Sequence, residues 1–393
     1  MKKLFTILML TVSFNMASQT GNTYYGSSAF EDNYSGDYNS AFGYQSMQGN
    51  NISGDHNTAL GVSSLRFLTS GQYNTALGSF SLYNNTTGSW NVGVGYYSLF
   101  TNTAYGNTAV GYYSLKENTT GMYNVSIGHS SLTDNTTGEK NTSYGAFSLY
   151  KNTTGIYNSA GGYASLNKNT TGNFNSAFGS HSLYDNTTGA YNTAIGYLSL
   201  GNNTTGQYNT ALGKNALDNI TTGGSNTAIG YSTDASSSAA INQTIIGYEA
   251  DGQADNSVVL GNSDVTAIYM AEDSGATIYA GNATFNGDVV IQSDTRLKSN
   301  IVSLGSTLPK LLQIDGKSYE KDGKQKIGVL AQEVREVFPE LVSEGDNEML
   351  AVNYQGLVPV LINALKEQQS EIETYRDEVS ELKEMVQKLI KTE

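Results

Sequence analysis

Asn192-Thr193-Ala194-Ile195-Gly196-Tyr197-Leu198-Ser199-Leu200-Gly201-Asn202-Asn203-Thr204-Thr205-Gly206-Gln207-Tyr208 is the stretch on which the fold turns, because Asn209-Thr210-Ala211-Leu212-Gly213 begins it again. The Asn that opens each unit recurs at Asn39, Asn57, Asn74, Asn91, Asn107, Asn124, Asn141, Asn158, Asn175, Asn192, Asn209 and Asn226. The spacings are 18, 17, 17 and 16, and 17 from there on. A fixed period of this size marks a repeat architecture. Seventeen residues cannot bury an apolar face alone, so neighbouring units must stack. Each unit offers two short β-compatible pieces with alternating apolar and small residues, such as Ala194, Gly196 and Leu198. Asn-Thr-Thr-Gly and Gly-Tyr bound them, and Asn and Gly tolerate the left-handed backbone that corners require. No window here has a helical period. The expected class is mainly β, a parallel solenoid with one coil per 17-residue repeat.

Towards the C-terminus the period shortens. Gly230 to Gly247 is 17 residues, and Gly247 to Gly261 is 14. The segment Asn256-Ser257-Val258-Val259-Leu260-Gly261-Asn262 resembles the left-handed β-roll repeats in the heads of trimeric autotransporter adhesins, and a looser likeness extends over residues 22–262. The resemblance implies a left-handed roll in an adhesin-like head. The C-terminal membrane β-barrel of those adhesins has no counterpart here. Residues 263–292 read as a neck with strand-like pieces at Val265–Tyr269, Ala276–Tyr279 and Asp288–Ile291.

Several columns run along the repeat. Tyr73, Tyr123, Tyr157, Tyr191 and Tyr208, with Trp90 and Phe174 in register, form either a coil-on-coil ladder or an aromatic platform for host or environmental glycans. The ladder is the expected reading. The Thr pairs such as Thr187-Thr188 and Thr204-Thr205 suit corners, and an ice- or water-ordering array is the lesser reading. His56, His129 and His181 lie in different repeats with no second ligand type nearby, so neither a metal nor another cofactor is expected.

Composition narrows the function. The 393 residues carry 14% charged residues, 43 Gly, 28 Tyr and 3 Pro, which is a fibre composition and not that of an ordinary enzyme. A net charge of -14 argues against nucleic acid, whose phosphates need a basic surface. With 0 Cys there is no disulfide, no thiol chemistry and no lipid-anchoring cysteine. At the start, Lys2 and Lys3 precede the apolar run Leu4–Phe14 and the small residues Ala17 and Ser18. This reads as a secretory signal peptide over residues 1–18, cut near Ser18–Gln19, in a bacterial protein that is secreted or held at the cell surface. No membrane span is expected in the mature chain.

The character of the chain changes at Ser293-Asp294-Thr295-Arg296-Leu297-Lys298-Ser299-Asn300-Ile301. Beyond it come turn signals at Asp315-Gly316 and Asp322-Gly323, then a short helix from Ala331 to Phe338 stopped by Pro339. A long helical stretch follows, over 356–391. Leu361, Leu365, Gln368, Ile372, Tyr375, Val379, Leu382, Val386 and Leu389 alternate spacings of four and three, an unbroken heptad stripe. Self-association is favoured over packing on the parent domain, and Gln368 is a candidate register-setting residue.

That run, together with Tyr319-Glu320-Lys321, Ile327–Val334, Phe338-Pro339-Glu340-Leu341-Val342 and Val352-Asn353-Tyr354, resembles the endosialidase-type intramolecular chaperone domain, a self-cleaving module at the C-terminus of phage tail spikes and other trimeric fibres. The resemblance covers residues 293–393. It implies a small α+β domain, a three-stranded coiled coil carried by Leu361, Leu365, Ile372, Val379, Leu382, Val386 and Leu389, and a serine–lysine dyad of Ser293 and Lys298. A serine hydroxyl needs a base, and lysine serves as one only when burial or neighbouring positive charge discourages its protonation. Arg296 and Asp294 are the supporting candidates. Attack by Ser293 on the Gln292 carbonyl passes through a five-membered ring, which favours cutting Gln292–Ser293. The Ser293–Asp294 bond and attack between subunits remain open. An uncut alternative has Ser293 capping an ordinary turn over Asp294–Lys298. The function expected is a secreted homotrimeric fibre whose C-terminal domain templates folding and leaves by a single autoproteolytic event. A non-cleaving structural or binding fibre is the alternative.

Overall fold

The computed structural model describes residues 21–30, 35–269, 283, 288, 293–321, 323–345 and 348–391. The chain forms two compact units, Met1–Ala276 and Thr277–Glu393. Residues 1–18, expected to be a signal peptide, and the strand-like pieces expected at 276–279 and 289–291 lie outside the described residues.

In the first unit the described residues form a parallel β-solenoid. Fifteen strands, from β1 (Thr23–Tyr25) to β15 (Ser257–Leu260), make one sheet in which each strand pairs with the next in sequence. The register sets like on like: Thr193 opposite Thr210, Ala194 opposite Ala211, Ile195 opposite Leu212. At about 4.8 Å per rung this sheet is on the order of 65 Å long. Each coil carries one strand of the kind seen at Thr193–Ile195, not two. The second expected piece is wound into turns, because Leu198 and Leu200 take φ of 56° and 50°, which no strand can pass through. Val265–Tyr269 forms no strand either; it is exposed and has no pairing strand among the described residues.

The corners also differ from expectation. Left-handed backbone falls on the aromatic column, with φ between 56° and 59° at Tyr157, Phe174, Tyr191 and Tyr208, and not on the Asn and Gly of Asn203–Gly206. Gly206 is required for another reason: a Cβ there would strike the Gly223 carbonyl and the Asn203 side chain. Gly196 needs glycine twice over, with φ of 134° and the Gly213 carbonyl where a Cβ would sit.

The core is thin and half polar. The Ala194 and Leu200 columns are buried, and so are Asn192, Ser199 and Asn203 with their equivalents along the stack. The Asn192 backbone N–H donates to Asn175 Oδ1 at 3.0 Å, and its Nδ2 donates to the same oxygen at 3.2 Å and to the Gly206 carbonyl at 2.8 Å. A second ladder has Asn203 Nδ2 donating to Asn186 Oδ1 at 2.8 Å. Each amide therefore satisfies the next coil, which is how so polar an interior is sustained. The second ladder runs from Asn85 to Asn203, between Leu68 and Ile220, and leaves Asn203 Oδ1 buried without a partner.

The second unit is small and mixed. It holds α1 (Leu308–Leu311), the hairpin β16 (Lys317–Lys321) and β17 (Lys324–Gly328), α2 (Ala331–Val337), the pair β18 (Val342–Glu344) and β19 (Leu350–Val352), and α3 (Leu357–Ile390). Its core gathers Val334, Phe338 and Val360, with Leu311, Val329 and Val352 against them. The helix α2 ends before Pro339, as the sequence requires. A strap over 305–308 lies along α3. Glu367 accepts from the N–H groups of Thr307 (2.6 Å) and Leu308 (3.1 Å) and from the Ser306 hydroxyl (2.9 Å). Thr307 donates its hydroxyl to the Val360 carbonyl at 3.2 Å.

Candidate functional site

A single turn of 3-10 helix, Thr295–Leu297, builds the site. Asp294 is its N-cap, with Oδ1 accepting the Arg296 N–H at 2.8 Å. The turn closes with Lys298 N–H donating to the Thr295 carbonyl at 3.1 Å. It brings Lys298 back over Ser293, where Lys298 Nζ donates to Ser293 Oγ at 2.6 Å. The expected capping role of Ser293 in an uncut turn thus belongs to Asp294, and the serine hydroxyl engages the lysine.

Arg296 has a different place from the one expected. Its Nε and Nη2 donate to the two Asp294 oxygens at 3.0 and 2.8 Å. The guanidinium holds the Asp294 carboxyl below its ordinary range, and the carboxylate raises Arg296 in turn. Arg296 therefore turns its guanidinium to Asp294. Gln292 lies outside the described residues, so of the expected cleavage residues Ser293 and Asp294 are placed.

Residues 293–300 are exposed in the single chain. Apolar neighbours are exposed too: Leu297 is 66% accessible, Ile301 65% and Val302 83%. An open hollow of about 490 Å³ lies along Ser293, Asp294, Arg296 and Leu297. The burial that makes a lysine a base is not supplied by the described residues of a single chain.

The heptad residues complete the picture of a surface awaiting company. Val360 and Ala364 of α3 are buried against the domain. One residue further round, Leu361, Leu365, Ile372, Val379, Leu382, Val386 and Leu389 are exposed. The helix packs on its own domain and still presents the whole stripe, because the two faces are distinct.

On the solenoid, the aromatic column is a ladder. Ring centroids lie 5.1 Å apart for Tyr157–Phe174, 4.9 Å for Phe174–Tyr191 and 5.0 Å for Tyr191–Tyr208, within 8° of parallel. His56 belongs to it, stacked 4.9 Å from both Tyr38 and Tyr73, although its residue type hides the register. The ring faces cover one another, so this column is not a flat platform for sugars. Nor are the first Thr hydroxyls a free array: Thr187 Oγ1 donates to the Thr204 carbonyl at 3.0 Å, and Thr170 does the same to Thr187. Among the described residues no three His, Asp or Glu side chains are grouped to hold a metal. No described helix is long and apolar enough to cross a membrane.

A fibre-like β-solenoid followed by a small chaperone-type module is the class of protein that this fold and site define. Residues 293–343 match the family described as chaperone of endosialidase. The chain is also similar to the long tail fibre proteins Gp37 of Salmonella phage S16 (27% identity over 40% of this chain and 25% of that protein) and of Enterobacteria phage K3 (34% over 28% and 11%). The Gp37 of Enterobacteria phage M1 is 30% identical over 27% of this chain and 47% of its own length. The chain spans less than half the length of these relatives.

Proposed function

We propose that this chain is a homotrimeric, exported fibre protein with an adhesin-like head, whose C-terminal unit templates trimer folding and then releases itself by serine–lysine autoproteolysis. The observation that carries the reading is the Ser293 Oγ–Lys298 Nζ contact of 2.6 Å in a unit whose apolar stripe and site-flanking residues are exposed. Trimerisation through Leu361, Leu365, Ile372, Val379, Leu382, Val386 and Leu389 gathers three copies of the site and supplies cover that the described residues of one chain do not. Lys298, neutral once buried, takes the Ser293 proton as Oγ attacks the Gln292 carbonyl. The carbon–nitrogen bond then breaks, the proton passes to the departing Ser293 nitrogen, and an ester joins Gln292 to Ser293 Oγ. Water hydrolyses that ester, giving a carboxylate at Gln292 and a new N-terminus at Ser293. Long parallel pairing is slow to form, so a removable template gives a kinetically trapped rod. Host or environmental glycans at a cell surface are the partners that the head would meet.

The test is intact mass of full-length protein beside Ser293→Ala and Lys298→Ala. The expected result is a released C-terminal fragment beginning at Ser293 in the wild type and in neither variant. A second reading, a permanent uncut trimerisation domain, draws on the exposure of the pair in a single chain; full-length wild type in a trimeric preparation would establish it. A water-ordering Thr array has the least support, since the Thr187-type hydroxyls are already engaged.

A further inference from the structure

One column on the solenoid mixes rings with small or aliphatic residues such as Ser63, Ser130 and Leu198. Phe80, Tyr97, Tyr113, Phe147 and His181 occupy equivalent places in their coils, each with φ between 57° and 59°. Ala164 takes the same place, with φ of 54°, between Phe147 and His181. Where a ring would sit there is a hollow of about 350 Å³, with Ala164 at its floor. Tyr163 stands on one side, and Tyr150, Asn167 and Tyr184 on the other.

The walls differ from the stacked ladder. Phe147 meets Tyr163 at 80° and Tyr150 at 72°, and His181 meets Tyr163 at 55° and Tyr184 at 46°. None of these pairs lies ring on ring; they meet edge-to-face or tilted, so the rings present a concave, angled wall rather than a closed stack. Polar groups converge as well. Asn167 Nδ2 is committed to the Phe147 carbonyl at 2.8 Å, which leaves Oδ1 as an acceptor. His181 Nδ1 pairs with the Ser180 hydroxyl at 2.9 Å, which leaves Nε2. The nearby charges are already matched: Lys151 pairs with Asp134 at 2.8 Å and Lys168 with Asp185 at 2.6 Å, and the two amines lie over the outer rings of Tyr150 and Tyr184. A guest here meets aromatic carbon and a few hydrogen-bonding groups, with both neighbouring lysines already paired. The volume lies at the small end of ligand pockets.

We infer that this hollow binds a neutral pyranose unit of a cell-surface glycan. An apolar sugar face packs on the tilted rings, and hydroxyls reach Asn167 Oδ1 and His181 Nε2. The inference rests on the reading of the head as the part that meets glycans, and it names where that happens.

The test is saturation-transfer NMR on full-length protein with the methyl β-pyranosides of galactose, glucose and N-acetylglucosamine. Ala164→Phe fills the hollow with the side chain that Phe80 and Phe147 carry at the same backbone angle, so the coil retains its fold. Ala164→Ser copies Ser63 and Ser130 in this column and leaves the hollow open. Equal melting temperatures of the three proteins confirm intact coils. Transfer to at least one sugar in wild type and Ala164→Ser, reduced tenfold or more in Ala164→Phe, is expected. Transfer undiminished in Ala164→Phe overturns this site while leaving a glycan-binding head. No transfer in the wild type overturns the site and the glycan reading of the head together.

Discussion

The solenoid and the C-terminal unit treat their difficult groups in opposite ways. The solenoid buries many polar side chains, and its stacking matches nearly all of them: Asn141, Asn158, Asn175 and Asn192 each serve the coil beside them. The C-terminal unit buries few residues of any kind and leaves Leu361, Leu365 and Leu389 exposed at 51%, 67% and 68%. One region finds its partners a repeat away in the same chain. The other has an apolar stripe whose matching surface is not in the described part of its own unit. A region complete in one chain needs only to be brought into register, whereas a region incomplete in one chain can do the bringing. This division of labour is what a folding template and its product require.

The largest expected effect attacks the incomplete side. Leu365→Asp with Leu382→Asp places charge in the heptad seam. Light scattering is expected to change from trimer to monomer, and intact mass is expected to show no cleaved fragment; cleavage by a monomer would separate the chemistry from assembly. A smaller effect attacks the complete side. Asn175→Ala removes the acceptor for the Asn192 N–H and the donor to the Gly189 carbonyl. About 2–6 kcal/mol of stability should be lost, from two buried groups left unmatched at about 1–3 kcal/mol each. Denaturant unfolding of the solenoid in the full-length protein checks this, and a neutral result would mean that water replaces the amide.

The smallest effect concerns the strap. The Thr307 and Leu308 N–H groups and two hydroxyls hold the Glu367 carboxyl below its ordinary value of 4.5. A depressed carboxyl stabilises the folded form above the ordinary value, and that contribution is lost as pH falls through the depressed one. Amide exchange at Thr307 and Leu308 should therefore quicken relative to other sites in mild acid, and Glu367→Gln should flatten that dependence. Protection unchanged across this range would show that the strap is held by Thr307 and Asn363 alone, through Val360 and the Gly305 carbonyl.

Much of this was legible in the residues. The recurring Asn fixed the coil length, and the matched strand register of Thr193 on Thr210 follows from it. The stops at Pro339 and the heptad spacing located α2 and α3. The five-residue separation of Ser293 and Lys298 was visible, but not that Asp294 caps the turn and claims Arg296. Sequence reasoning took the repeated Asn for corner residues, because Asn is usually a surface or turn residue; its burial depends on an amide in the next coil. His56 and the gap at Ala164 were missed because each departs from its column's usual residue.

The sequence by itself determined the period, the columns, the two units and the helical seam, since these depend only on spacing and residue type. Only the tertiary structure decided which columns point inward, where the chain turns left-handed, and that the place between Phe147 and His181 opens into a hollow. The physical reason is that the inside of a coil is defined by its neighbours: a buried Asn is favourable only when another lies one rung away, and a hollow exists only between two side chains that stacking brings to its edges.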